Sequence, residues 1–188
     1  AHGIRSLREF HQLKSLELPK CSISSEAVLE CAELKQLEHL ALSENDLGDS
    51  DICQVHPLRL LKYISLDGTR ITDDCFKKFH SWFPMLRTVL ANDTLLTDAC
   101  VETLIRVTGL TVLGFGNTSI TDTGIQLIAK MPKLEILDVS NTAVTHLCIP
   151  YLERIPNLWR IIAEDTELID RDFAQLKAKN PNLKVHLS

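Results

Sequence analysis

A leucine returns along this chain at a nearly fixed interval. It opens the pattern L-x-x-[LIV]-x-[apolar] at Leu13, Leu37, Leu61, Leu86, Leu110, Leu134, Leu158 and Leu183, in steps of 24, 24, 25, 24, 24, 24 and 25 residues. A period held over seven steps means one supersecondary unit repeated. Such units stack in register, because none can bury its apolar faces alone. The stretch Leu110–Ile128, LTVLGFGNTSITDTGIQLI, shows the unit most fully.

Each column of the unit has a physical duty. Three and five residues past the opening leucine stand pairs such as Leu16/Leu18, Leu40/Leu42, Leu113/Phe115 and Leu137/Val139, alternating with their neighbours as the inner side of a short strand must. Ten residues past it, Ile23, Leu47, Ile71, Leu96, Ile120, Val144 and Leu168 turn the chain back beneath the strand. Two residues further comes the column Ser25, Asp49, Asp73, Asp98, Asp122, His146 and Asp170, mostly of helix-capping type, so a helix is expected to begin there. Its buried stripe runs Val28/Cys31/Leu34, Ile52/Val55/Leu58, Phe76/Phe79/Trp82, Val101/Leu104/Val107, Ile125/Ile128/Met131, Ile149/Leu152/Ile155 and Phe173/Leu176. Pro84, Pro132, Pro156 and Pro181 close four of these helices before the next strand.

The ends fit the same register. Ile4, Leu7 and Phe10 continue the helical stripe backwards, so Ala1–Phe10 is expected to be the helix of an earlier repeat or a helical cap, and the chain a fragment of a longer protein. Leu183, Val185 and Leu187 alternate as a last strand, and Lys179 gives the final helix a solvated end. Residues 1–188 thus read as one domain of about seven repeats.

Composition narrows the function classes. A net charge of -5 argues against a general nucleic-acid binder, since phosphate affinity comes mainly from Lys and Arg. With no run of 18 apolar residues, a membrane-spanning helix is excluded. The start AHGIRSLREFHQ lacks the features of a secretory signal.

The six cysteines fall into the repeat register, which points to structure. Cys75, Cys100 and Cys148 share a column with Gly3, Ala27, Asp51, Gly124 and Asp172, where a small residue lets helices approach, and free cysteine packs as a small hydrophobe. Cys21 shares the turn column of Asn45, Thr69, Thr94, Thr118, Thr142 and Thr166. No C-x-x-C pair suggests zinc, and unpaired thiols suit a reducing compartment, cytoplasmic or nuclear. His146 and Cys148 form one close pair, too little for a metal site, and the remaining histidines scatter across columns. No G-x-S-x-G, Walker or H-E-x-x-H motif is present, and Gly114 and Gly116 of LGFGN lie within a strand rather than before a helix, so no phosphate loop results. Glu26/Glu30 and Asp73/Asp74 read as solvated acids. The sequence therefore predicts a non-enzymatic chain without cofactor or metal.

What remains is the outward face of the strands. Its apolar members cluster: Tyr63, Leu90, Val112, Ile136 and Ile162 lie in five successive repeats, with Gly114 and Gly116 leaving an expected dip. Asp67, Asp93, Asp138, Glu164 and Asp165 stand beside it, and Arg160 closes the first outward column. An apolar strip rimmed by carboxylates suits a peptide or protein partner carrying apolar and basic residues. Strand propensity and solubility would account for the same residues without a partner. The expected partner-binding set is Tyr63, Asp67, Leu90, Val112, Gly114, Ile136, Asp138, Arg160 and Ile162.

The period and the L-x-x-L-x-L-x-x-[NC]-x-L core match the leucine-rich repeat. The turns TRITDD at 69–74, TLLTDA at 94–99, TSITDT at 118–123 and the looser NTAVTH at 141–146 resemble its cysteine-containing subtype, found in F-box substrate receptors and related Cullin-2 adaptors. The resemblance implies an α/β solenoid with a curved parallel sheet on the concave side and helices on the convex side. It also implies protein recognition, in its most specific form substrate reception in a ubiquitin ligase. The chain has no F-box or Cullin-docking helices, and threonine replaces most of the subtype's paired cysteines. A scaffold or assembly factor, or the non-catalytic repeat domain of a larger enzyme, stands as the alternative.

Overall fold

The computed structural model describes residues 9–187, so most of the expected helix Ala1–Phe10 lies outside the described residues. Eight three-residue strands, β1 (Ser15–Glu17), β2 (His39–Ala41), β3 (Tyr63–Ser65), β4 (Thr88–Leu90), β5 (Val112–Gly114), β6 (Ile136–Asp138), β7 (Arg160–Ile162) and β8 (Lys184–His186), form one sheet. All pairs are parallel and neighbours in space are neighbours in sequence. The columns read from the period face one another across the ladder: Ser15, His39, Tyr63, Thr88, Val112, Ile136, Arg160 and Lys184 are successive partners.

The last step is one residue shorter than the leucine spacing implies. Val185 pairs with Ile161, so β8 follows β7 by 24 residues and Leu183 falls one place after the opening column. A one-residue shift exchanges the faces of a strand. With this shift Val185 turns inward, as the alternation of Leu183, Val185 and Leu187 predicts, and Lys184 and His186 are exposed.

Helical segments return the chain behind the sheet: α1 (Ser25–Cys31), α2 (Asp49–Ile52), α3 (Phe79–Trp82), α4 (Asp98–Leu104), α5 (Asp122–Ile128), α6 (Ile149–Leu152) and α7 (Ala174–Lys179). Several are joined to 3-10 turns, at Cys53–Val55, Asp73–Lys78, His146–Cys148 and Asp170–Phe173. A 3-10 turn repeats every three residues, which is why apolar residues spaced by three, as in Phe76 and Phe79, share a face here. Past Phe79 the chain becomes α-helical, and the stripe advances by four to Phe83, whose N–H donates to the Phe79 carbonyl at 2.8 Å. Phe83 is therefore fully buried, and the expected stripe residue Trp82 is only half-buried. The other stripe residues, together with the inner strand positions, fill one continuous core.

The expected capping column is displaced by one residue. The caps are Ser24, Thr72, Thr97, Thr121 and Thr145, whose side chains accept from N–H groups of the first turn. An N-cap needs extended backbone outside the helix, and Thr121, at φ -125° and ψ -176°, supplies it. The aspartates that follow reach into the next repeat instead. Asp98 accepts from Thr121 N at 2.9 Å and from Thr121 Oγ1 at 2.6 Å. Asp49 binds Thr72, Asp73 binds Thr97 and Asp122 binds Thr145 in the same way. Each threonine hydroxyl thus caps its own helix and donates to its predecessor, a ladder that ends where His146 and Ile169 replace the pair. Gly124 belongs to this ladder. A Cβ there would lie 2.4 Å from Asp98 Oδ1, so the small residue makes room for a carboxylate rather than for a helix alone.

The turn column divides by residue type. Buried Asn45 donates to the carbonyls of Leu18, Leu42 and Ser43 and accepts from Cys21 N and Ile23 N, tying two repeats together. Thr69, Thr94, Thr118, Thr142 and Thr166 donate only to the carbonyl three residues back. One place before the last four of these threonines Asp93, Asn117, Asn141 and Asp165 take left-handed φ of 54°, 52°, 49° and 52°. Asp and Asn tolerate that region better than most residues.

Candidate functional site: the outward strand face

The sheet carries its inner side chains in the core and leaves one row after another on its outer face. Tyr63, Leu90, Val112, Ile136 and Ile162 all project there and are half-exposed. Their neighbours one residue along, Ile64, Val89, Leu113, Leu137 and Ile161, are fully buried. The period-two alternation of each strand makes this division.

At the β2–β3 end, the rings of His39 and Tyr63 stack with centroids 5.4 Å apart and planes 14° from parallel. A polar chain then runs across the repeats. The Ser43 and Ser65 hydroxyls lie 2.5 Å apart, Ser65 Oγ donates to Asp67 Oδ2 at 2.9 Å, Asn92 N donates to Asp67 Oδ1 at 2.8 Å, and Gly116 N donates to Asn92 Oδ1 at 2.6 Å. Burial pushes the Asp67 carboxyl above its ordinary value, against the lowering effect of the bonds from Asn92 and Ser65. Burial also raises the Tyr63 hydroxyl.

The expected dip is occupied. A Cβ on Gly114 would lie 3.0 Å from Leu90 Cδ2 and 3.1 Å from the Asn92 amide, and one on Gly116 would lie 3.2 Å from Asn92 Oδ1. Both glycines are buried, so their lack of side chains seats Leu90 and Asn92 from the preceding repeat. Of the carboxylates beside the apolar strip, Asp93 and Asp165 sit at the left-handed turn positions. Asp138 accepts from Ser140 N at 3.0 Å and from Ser140 Oγ at 2.8 Å.

Cations gather at the other ends of the strands. Lys62 and Arg87 precede β3 and β4, Arg160 opens β7 and Lys184 opens β8. Glu38 offsets part of this charge: it pairs with Lys62 and, at 3.2 Å, with Lys14, and hydrogen bonds from Lys62 and then Lys14 hold its carboxyl below its ordinary value. Lys184 Nζ lies 5.7 Å from the centroid of the Trp159 ring. The Nε of Arg160 is buried and has no hydrogen-bond partner among the described residues. Sequence reasoning placed Arg160 on this face and passed over Lys184, although the alternation of Leu183, Val185 and Leu187 already turns it outward.

Sequence reasoning also passed over exposed apolar side chains outside the strands, among them Leu95, Leu147 and Ile169. They interrupt columns otherwise filled by polar or small residues, a signal present in the register. Among the described residues no group of three His, Cys, Asp or Glu side chains could hold a metal ion, and no helix is long and apolar enough to cross a membrane.

No protein-family model and no curated relative matches the chain. Solved structures do. An internalin (inlF) of Listeria monocytogenes superposes with a TM-score of 0.70 at 18% identity, over 97% of this chain and 49% of that one. Internalin C2 of the same organism gives 0.69 at 22%, over 99% and 74%. A leucine-rich repeat protein of Leptospira interrogans gives 0.64 at 19%, over 96% and 50%. The fold is the leucine-rich repeat solenoid. The chain spans about half the length of the first of these internalins. These likenesses carry the repeat architecture; the cysteine-containing subtype and the F-box and Cullin-2 adaptors are not among them.

Proposed function

We propose that this chain is a protein-recognition module that takes a protein or peptide segment on its outward strand face. The observation that supports the reading is the half-exposed apolar strip on five successive strands, with Tyr63, Val112 and Ile136 in one outward column and Leu90 and Ile162 in the next. Rigid, closely spaced apolar side chains on a scaffold lose little conformational freedom when covered, which favours association. Asp67, Asp138 and Arg160 border the row and would orient the partner, and Gly114 acts at second hand by seating Leu90. The specific form we propose is reception of substrates for a ubiquitin ligase in a longer parent protein. A scaffold holding a stable partner is the second reading.

The test is the paired substitution Leu90→Arg with Ile136→Arg, compared with the helix-side control Leu29→Arg. Partners captured by the native chain should be lost with the first variant and kept with the second, with circular dichroism unchanged in both. Partners kept by a folded Leu90→Arg/Ile136→Arg variant would sink the strand-face assignment. Co-purification of a Cullin or Skp component with the parent protein separates the ligase form from the scaffold form.

A further inference from the structure

Charge on the strand face is sorted along the strand direction. Around the starts of the strands stand Lys62, Arg87, Arg160 and Lys184, with Glu135 as the acidic exception and Glu38 already paired to Lys62. Past the ends of β3, β4 and β7 stand Asp67, Asp93, Glu164 and Asp165, with no ion-pair partner within 4.0 Å among the described residues, and Asp138 at the end of β6 is an acid within the apolar strip itself. The apolar row lies between the two bands. Arg160 likewise takes part in no ion pair among the described residues, and its Nε is buried without a partner.

The geometry points to an amphipathic α-helix of the partner lying across the strands, with acidic side chains on the flank over the strand starts and basic side chains on the flank over the strand ends. This rests on the strand-face reading above and narrows its occupant. From Lys62 to Asp67 the chain advances about 16 Å at about 3.3 Å per residue, wide enough for a helix of about 10–12 Å with its side chains. Along the other direction each strand adds about 4.8 Å, close to the rise of about 5.4 Å per helical turn. One turn of the partner therefore meets one strand of the sheet. The four steps from β3 to β7 span about 19 Å, or about 13 helical residues. A helix with apolar residues at i, i+3, i+4 and i+7 presents a single apolar face with both flanks beside it. An extended segment that seats alternate side chains on the apolar strip turns the others to solvent, away from both bands.

Three acetylated and amidated 14-residue peptides test this on the whole chain by fluorescence anisotropy. They share one helical apolar stripe and carry Glu on one flank and Lys on the other, Lys on both, or Glu on both. The mixed peptide should bind at least tenfold tighter than either uniform one, and should lose that affinity when a central residue is replaced by proline. With Arg160→Glu and Lys184→Glu together, the all-Lys peptide should become the preferred one. High salt should compress these differences, since exposed charges are screened. Equal binding of all three peptides that is lost with Ile136→Arg overturns the charge sorting while leaving the strand face as a binding surface. Undiminished binding of the proline peptide overturns the helix. Absence of binding by all three also overturns the proposal, and partner capture by the Leu90→Arg/Ile136→Arg variant then decides the face itself.

Discussion

Replacing Gly124 by alanine should destabilise the protein, although alanine is the better helix former and Gly124 lies inside α5. On propensity alone the exchange favours folding by about 0.5–1 kcal/mol. Against this, the new Cβ would stand 2.4 Å from Asp98 Oδ1 and 3.0 Å from Ile120 Cγ2. The carboxylate must move, and with it go the bonds from Thr121 N and Oγ1 at 2.9 and 2.6 Å. Hydrogen bonds to a charged group contribute about 1.5–3 kcal/mol each when well buried, and this site is half-buried, so Asp98→Ala should cost about 2–3 kcal/mol. Gly124→Ala alone should then cost about 1–2 kcal/mol net. In the Asp98→Ala background the obstacle is gone, and the same glycine substitution should be neutral or stabilising by up to about 1 kcal/mol. Urea denaturation of the four proteins, followed by circular dichroism and by the fluorescence of Trp82 and Trp159, closes the double-mutant cycle. Repeat arrays can lose cooperativity, so unchanged m-values are required before the energies are compared. If Gly124→Ala stabilises the native background, or if the two costs add, the carboxylate is not what the glycine accommodates.

Two further outcomes follow from the electrostatics. Burial pushes the thiols of Cys31 and Cys148 up to about 11 and about 12, and those of Cys75 and Cys100 up as well, whereas Cys21 is exposed. At pH 8 a thiol reagent should therefore modify Cys21 quickly and half-buried Cys53 slowly, leaving the four buried thiols untouched until urea unfolds the chain; rapid modification of all six would contradict the packing. Asp67 has its folded pKa raised by burial, so the native state holds its proton more tightly than the unfolded one, and stability contributed below the unfolded value is lost as pH rises through the folded value. Asp67→Asn should accordingly raise the urea midpoint at pH 7 and make no difference well below pH 4, about the unfolded value; an Asp67→Asn variant less stable at pH 7 would show that the bonds from Ser65 and Asn92 outweigh desolvation.

The strand face was legible in outline. Alternation alone assigned Tyr63, Leu90, Val112, Ile136 and Ile162 to the outer side, and the structure leaves each half-exposed there. What occupies the space over Gly114 was not legible, because the side chains that fill it, Leu90 and Asn92, arrive from the preceding repeat. The alternation of Leu183, Val185 and Leu187 already turned Lys184 outward, and the pairing of β8 added that it stands beside Arg160.

By itself the sequence determined the repeat, the inner and outer sides of the strands and most of the buried stripe, because these follow from periods of two, three and twenty-four residues counted along one chain. Tertiary structure decided the rest. Whether Asp98 caps its own helix or grips Thr121, whether Trp82 or Phe83 enters the core, and whether β8 opens at Leu183 or one residue earlier all depend on atoms brought together by stacking. A hydrogen bond forms or fails over tenths of an ångström. A one-residue shift exchanges the faces of a strand, and neither is written in the spacing of leucines.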